Sequence, residues 1–278
     1  MGFYSKYDRI IRKFAPSVAK ASYHPLVRIV ADTVSSALSL PFPELRELPP
    51  NHLRMRIGVG NRILNDHINF IQTSGRCWLH FLSHQYCTSK SDVVELGCGC
   101  GRVARGLKDD WFEGTYVGVD IDREMVEYCR RNFPEERFQF ILSPHKSVTY
   151  SRNNTSSTIE TRGDLVVAGQ GSKDFVYSIS LYSHLLESEM VDYMEESYRI
   201  LKPGGIMYMT FFCMEHVELG GRWTFQHSRG NAYIESEQFP EAAVAYHRDF
   251  LVHTVKDIGF CEVTVNPRKA QSELVARK

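Results

Sequence analysis

Apolar and polar positions change period several times along the chain, and each change marks an element. Val93, Val94 and Leu96 form a short apolar run that suits a parallel strand covered on both faces. Gly97, Gly99 and Gly101 follow, and then Val103, Ala104 and Leu107 recur at helical spacing. Tyr116 to Val119 predicts a second strand, ending in Asp120. Arg123 to Asn132 predicts a helix that buries Met125, Val126, Tyr128 and Cys129 and stops at Pro134. Phe138 to Leu142, Phe175 to Ile179 and Ile206 to Phe212 read as further strands, with a helix from Met190 to Leu201 before the last. Lys202, Pro203 and Gly204 read as that helix's stop signal, with the glycine in a left-handed cap. Tyr246 to Ile258 predicts a helix stopped by Gly259, and Phe260–Val265 and Glu273–Ala276 predict a closing pair of strands.

The first 40 residues have a different rhythm. Tyr7, Ile10, Ile11 and Phe14 share one helical face, and Leu26, Val27, Ile29, Val30, Val34 and Leu38 make a second apolar stretch. Basic residues outnumber acidic ones there, so the segment reads as a helical lid, a dimer element or a surface-membrane helix. Pro41, Pro43, Pro49 and Pro50 mark a linker. Leu53 to Ile68 and then Trp78 to Leu82 predict more helix leading to the first strand. Residues 1–74 are therefore expected to form a helical extension and 75–278 the main domain. Two stretches interrupt that domain. Residues 143–171 are rich in Ser, Thr and Asn, with a short strand expected at Asp164–Val167, and read as an insertion loop. Residues 213–246 carry His216, Trp223, Phe225, His227 and Tyr233 and read as a substrate loop.

Strand, glycine turn, helix and strand together predict a nucleotide-binding unit. Alternate glycines turn the backbone tightly and leave no Cβ between it and a ligand. An acid about 20 residues past the turn is placed to accept hydrogen bonds from a ribose diol, and Asp120 stands there. Glu95, ending the first strand, is expected to add a second carboxylate at the mouth. Gly99 to Ala104 also fits the looser dinucleotide pattern, so the turn alone leaves a nicotinamide cofactor open.

Composition narrows the class. The chain has 278 residues, 43% of them hydrophobic, with 33 basic and 33 acidic side chains. A neutral balance gives no support to a nucleic-acid binder, which needs a basic face. Seven cysteines, an odd number, point to reduced thiols and a cytoplasmic location. Cys98 and Cys100 stand too close together for a zinc ribbon, and no metal is expected. No signal peptide or apolar run long enough to span a bilayer is visible, so the Asn153 and Asn154 sequons are expected to stay unmodified.

The run Glu95-Leu-Gly-Cys-Gly-Cys-Gly101 resembles motif I of class I S-adenosylmethionine (SAM)-dependent methyltransferases, and Asp120 resembles the acid that holds the ribose in that family. Asp174 to Leu185, with its Ser-x-x-x-His-Leu tail, resembles the motif IV of small-molecule members, and Leu201-Lys-Pro-Gly-Gly before a strand is also similar to the family. The resemblance covers roughly residues 75–278. It implies an α/β fold: a Rossmann-like, seven-stranded, mostly parallel sheet with an antiparallel closing strand, and N-terminal helices over the cofactor as a lid. It implies SAM as cofactor, held by Glu95, Gly97, Cys98, Gly99, Gly101, Arg102, Asp120, Ile121, Ser178 and Ser180. SAM carries a sulfonium and an ammonium rather than phosphates, so a nearby carboxylate favours it. The reaction it implies is methyl transfer to an oxygen or nitrogen of a small molecule. Such a transfer needs an in-line nucleophile, excluded water and, for a protonated nucleophile, a base. His184, His216 and His227 are base candidates, and Tyr182 is a candidate for orienting the acceptor. A SAM-binding partner or scaffold protein without catalysis is the rival reading, and a homodimer is compatible with either.

Overall fold

The structure, a computed structural model, describes residues 25–54, 56–57, 67–144, 166–218 and 223–278. The expectations for the face of Tyr7 to Phe14, for residues 58–66, for the two sequons and for the start of the Asp164–Val167 strand lie outside these. The chain divides into two compact units, Met1–Gln72 and Thr73–Lys278. In the first, helix α1 (Pro25–Ser39) is followed by two single turns, α2 (Pro43–Arg46) and α3 (Asn51–Arg54). Pro43 therefore opens a helical turn, as its fixed φ allows, rather than continuing a linker. Asp32 of α1 accepts the backbone N–H of His52 at 2.9 Å and meets its ring Nδ1 at 2.6 Å. Leu26, Ile29, Val30 and Val34 of α1 are exposed.

Helix α4 (His67–Ser83) runs on into the second unit. There β1 (Val93–Leu96), β2 (Tyr116–Asp120), α5 (Arg123–Asn132), β3 (Phe138–Leu142), β4 (Lys173–Ser178), α6 (Glu187–Ile200) and β5 (Leu201–Cys213) follow in order. The chain closes with β6 (His227–Arg229), β7 (Ala232–Ile234), β8 (Val244–Tyr246), α7 (Arg248–Ile258), β9 (Cys261–Asn266) and β10 (Ser272–Arg277). The main sheet has the order β3-β2-β1-β4-β5-β10-β9. β1 to β5 are parallel, and β10 runs antiparallel to both β5 and β9. This is the mostly parallel α/β sheet with an antiparallel closing strand that the sequence predicts.

Two apolar cores flank the sheet. On one face Trp78 and Phe81 of α4 pack with Val126 and Cys129 of α5 over Val93, Phe175 and Tyr208. On the other, Met190, Tyr193 and Met194 of α6 and Leu251 and Val255 of α7 cover Val94, Leu96, Val176 and Met209. Among the described residues no helix is long and apolar enough to cross a membrane.

Three elements differ from expectation. The segment after the glycine turn is a single 3₁₀ turn, Ala104–Leu107, not an α-helix. The Val103 carbonyl accepts the Gly106 N–H of the turn (3.2 Å) and also Ser74 Oγ (2.8 Å) and Trp78 Nε1 (2.9 Å) of α4, while Ser74 Oγ accepts from the Gly106 N–H (2.8 Å). The Lys-Pro-Gly-Gly run is not a helix cap. Leu201 turns extended (φ −68°, ψ 139°) and begins β5 at once. Lys173 and Phe175 of β4 face Leu201 and Ile206 of β5, so the run between them bulges out of the strand, with Gly204 at φ +79°. Finally, 213–246 is not one loop. β6, β7 and β8 build a small antiparallel sheet joined to the end of β5.

Candidate functional site

The glycine turn hangs on the end of β2. The N–H groups of Gly97 and Cys98 both donate to the Val119 carbonyl, at 2.8 and 3.0 Å. Gly97, Gly99 and Gly101 all have left-handed φ, +75°, +53° and +79°. A Cβ on Gly101 would also stand 2.6 Å from the Phe133 ring. The backbone is thus bent in a way that side-chain-bearing residues resist. Cys98, Gly99 and Cys100 are buried within this turn.

Asp120 ties the turn to β2. Its Oδ2 accepts the Gly99 N–H at 2.7 Å, and its Oδ1 accepts the Asp122 N–H at 2.9 Å. Helix capping falls to Asp122, whose Oδ1 accepts from Glu124 and Met125 at 3.0 and 3.3 Å. Asp120 therefore does not cap the helix and keeps lone pairs beyond the two it uses. Burial pushes its carboxyl up to about 6, against the pull of these N–H donors. Ile121 lies partly exposed beside it. Arg102, next after the turn, is half-buried and has no hydrogen-bond or ion-pair partner among the described residues.

Glu95 departs from expectation. It is 2% exposed and points into the core under α4 rather than out of the mouth. Its Oε2 accepts from the hydroxyls of Tyr116 (2.6 Å) and Tyr177 (2.9 Å). Strand register explains this: Glu95, Tyr177 and Tyr208 form one row across β1, β4 and β5. Side chains in such a row share a face. Burial pushes Glu95 up to about 8, against the tyrosine hydrogen bonds.

The chain beyond β4 comes against the glycine turn, where a Cβ on Gly97 would stand 3.1 Å from Leu181. Ser178 is buried, and its Oγ has no partner among the described residues. Ser180 has a left-handed φ of +61°, a strained state that collects at functional sites when its surroundings enforce it. Here Thr210 Oγ1 accepts its N–H at 2.7 Å, and its Oγ donates to Gln271 Oε1 at 3.0 Å. Nothing in the sequence pointed to Thr210 and Gln271. They reach the site from β5 and the β9–β10 connection, far from either motif.

The four catalytic candidates are separated by the fold. The Tyr182 ring is 1% exposed and lies in the core with Met190 and Tyr193 of α6, so it is not placed to orient an acceptor. His184 Nδ1 meets the Glu241 carbonyl at 2.9 Å, and burial lowers its affinity for a proton. His227 lies on β6, its Nδ1 3.6 Å from Glu237. His216 follows β5, with Nδ1 2.8 Å from Ser272 Oγ, beside Gln271 and Ser180. Of the four, only His216 joins the cluster at the ends of β4, β5 and β10.

The small sheet stands over the same region. Val244 of β8 donates its N–H to the Ser183 carbonyl at 2.8 Å, so β8 rises beside the chain just beyond β4. Phe212, Phe225, Ala243 and Ala245 form an apolar cluster there, with Trp223 and Tyr233 packed against it. The Phe212 ring lies 5.3 Å from Trp223 and 5.4 Å from Phe225. Among the described residues no group of three His, Cys, Asp or Glu could hold a metal ion.

Residues 94–209 match the family described as a methyltransferase domain. The chain is 28% identical over 125 residues to a malonyl-[acyl-carrier protein] O-methyltransferase of Acetivibrio thermocellus, covering 41% of this chain and 44% of that protein. It is 27% identical over 173 residues to the protein of the same name from Hahella chejuensis, covering 59% and 52%. The match thus spans about half the length of these curated relatives. A SAM-dependent methyltransferase from Methanosarcina mazei aligns with a TM-score of 0.48 at 19% identity, over 71% of this chain and 96% of that one.

Proposed function

We propose, from the premise that residues 94–209 are a methyltransferase domain of the SAM-dependent class, that the whole protein transfers a methyl group from SAM to an oxygen of a small-molecule acceptor. The observation that carries the reading is the clasp between Asp120 and Gly99, at 2.7 Å, across the ends of two neighbouring parallel strands. The residues present suit SAM. The glycine turn offers backbone without side chains, Asp120 offers acceptors for ribose hydroxyls, and Arg102, with no hydrogen-bond or ion-pair partner among the described residues, offers a cation for a carboxylate. Ser178 Oγ and Ser180 complete the cofactor side. Glu95 has no part in contacting SAM in this reading; it supports the turn from below through Tyr116 and Tyr177.

SAM, when bound, supplies a methyl group on a positively charged sulfur, already primed to leave. The chain's part is to hold the acceptor in line and keep water out. Phe212, Trp223 and Phe225 provide the apolar wall, and His216 with Gln271 the polar end. The choice of oxygen over nitrogen leans on the two relatives named O-methyltransferases. Residues 1–72 are left without a role in this reading.

The test is turnover. Purified protein is incubated with SAM and a metabolite panel, and S-adenosylhomocysteine is measured. Formation only when an acceptor is present supports the reading. SAM binding with no turnover across carboxylic acids, phenols, sugars and amines would favour the non-catalytic rival.

A further inference from the structure

Glu215, His247 and Tyr233 are joined end to end, although they come from three different elements. Glu215 follows β5, His247 precedes α7, and Tyr233 is the middle residue of β7. Glu215 Oε1 lies 2.7 Å from His247 Nδ1, and His247 Nε2 lies 3.1 Å from the Tyr233 hydroxyl. The other carboxylate oxygen of Glu215 accepts the Arg248 N–H at 3.0 Å and the Cys213 thiol at 3.1 Å. Burial alone would raise the Glu215 carboxyl, but these bonds outweigh it and hold it at about 2. It is therefore a carboxylate at neutral pH. A carboxylate facing Nδ1 keeps the imidazole proton on that nitrogen. Nε2 must then accept, and the Tyr233 hydroxyl donates to it. An acceptor-only group behind a two-sided base behind a hydroxyl is the order that draws a proton from the hydroxyl. Tyr233 also packs against the Phe212 cluster, and the reading above leaves all three side chains without a role.

We propose that Glu215, His247 and Tyr233 form a proton relay that activates the Tyr233 hydroxyl at the acceptor wall, and that the acceptor is a hydroxyl compound. The second clause rests on the methyl-transfer reading; the relay itself does not. A carboxylate nucleophile already carries its charge and needs no such relay, whereas a hydroxyl must lose a proton as it is methylated. The acceptor O–H bond breaks and its proton passes to Tyr233 Oη, while the Tyr233 proton passes to His247 Nε2. The electron pair left on the acceptor oxygen forms the bond to the methyl carbon. The carbon–sulfur bond breaks with its electrons kept by sulfur. The imidazolium is balanced by Glu215 and returns its proton to solvent after product leaves.

The relay is tested without the acceptor. The full chain is treated with p-nitrophenyl acetate, release of p-nitrophenolate is followed, and the acetylated tyrosine is located by peptide mass spectrometry. Tyr233 is expected to be acetylated first. Tyr233→Phe should remove that label, and H247Q and E215Q should slow it by about 100-fold, the scale of base assistance. E215Q keeps an oxygen for the Arg248 N–H, and circular dichroism checks that each variant folds. Acetylation of Tyr233 at an equal rate in folded H247Q would overturn the relay. In a parallel titration all three variants should bind SAM as the parent does. A parent that binds no SAM would sink the methyl-transfer reading and leave the acetylation result standing. With the relay confirmed, methylation of carboxylic acids but not of hydroxyl compounds would overturn the acceptor class.

Discussion

Asp120 and Glu95 stand on neighbouring parallel strands, β2 and β1, and they do different work. Asp120 accepts one bond from the glycine turn, at Gly99, and one from the Asp122 N–H at the start of α5. Asp120→Ala should weaken SAM by about 1–3 kcal/mol, the scale of a lost hydrogen bond to a charged group, as calorimetric titration would show. Glu95 holds two tyrosine hydroxyls inside the core, and its carboxyl rises from an ordinary 4.5 to about 8. Its folded value exceeds its unfolded one, so the folded chain keeps a proton that the unfolded chain releases. The contribution of this group to stability is therefore fullest below about pH 4.5 and declines as pH rises to about 8. Glu95→Gln should flatten that decline in denaturant midpoints measured across the range; an unchanged slope would refute the assignment. Asp120 was legible because its spacing from the glycines is set by one strand–turn–strand unit. Glu95 was misplaced because alternation along β1 says that it faces away from Val94 and Leu96, not what waits on that face. Tyr116 and Tyr177 arrive there through register with β2 and β4.

Helix α4 shapes the turn as much as the glycines do. Ser74 and Trp78 take the Val103 carbonyl, and a Cβ on Gly106 would lie 2.5 Å from Ser74 Oγ and 2.8 Å from the Trp78 ring. Gly106→Ala should destabilise the domain by about 1–3 kcal/mol through overpacking, read as a lowered thermal midpoint. An unshifted midpoint would mean that α4 does not press on the 3₁₀ turn. The periodicity of Val103, Ala104 and Leu107 marks a buried face, but it cannot distinguish one tight turn from a full helix. Strands β1 to β4, with α5 and α6, were legible to within a few residues because apolar runs and helical periodicity mark them, although the stop read after α6 belongs to β5. The small sheet of β6 to β8 was not. Its strands are three residues each, and what fixes them is pairing with one another and, through β8, with the end of β5.

For the second unit as a whole, the parallel strands deliver their carboxyl ends to one edge. Open α/β sheets bind ligands there, where the strand order reverses. The order β3-β2-β1-β4-β5 reverses between β1 and β4, and the glycine turn meets the chain beyond β4 there, at Gly97 and Leu181. The cofactor half of the crevice comes from consecutive sequence and could be read from it. The acceptor half proposed above would draw on β5, the β9–β10 connection and the small sheet, segments far apart in the sequence that only folding brings to the end of β5. Calorimetric titration of the full chain with SAM, repeated on Gly99→Val with circular dichroism as the check on folding, tests the central claim most directly. The account predicts one SAM bound per chain by the parent and none by the folded variant. Equal binding by the two, or no binding by the parent, would contradict it.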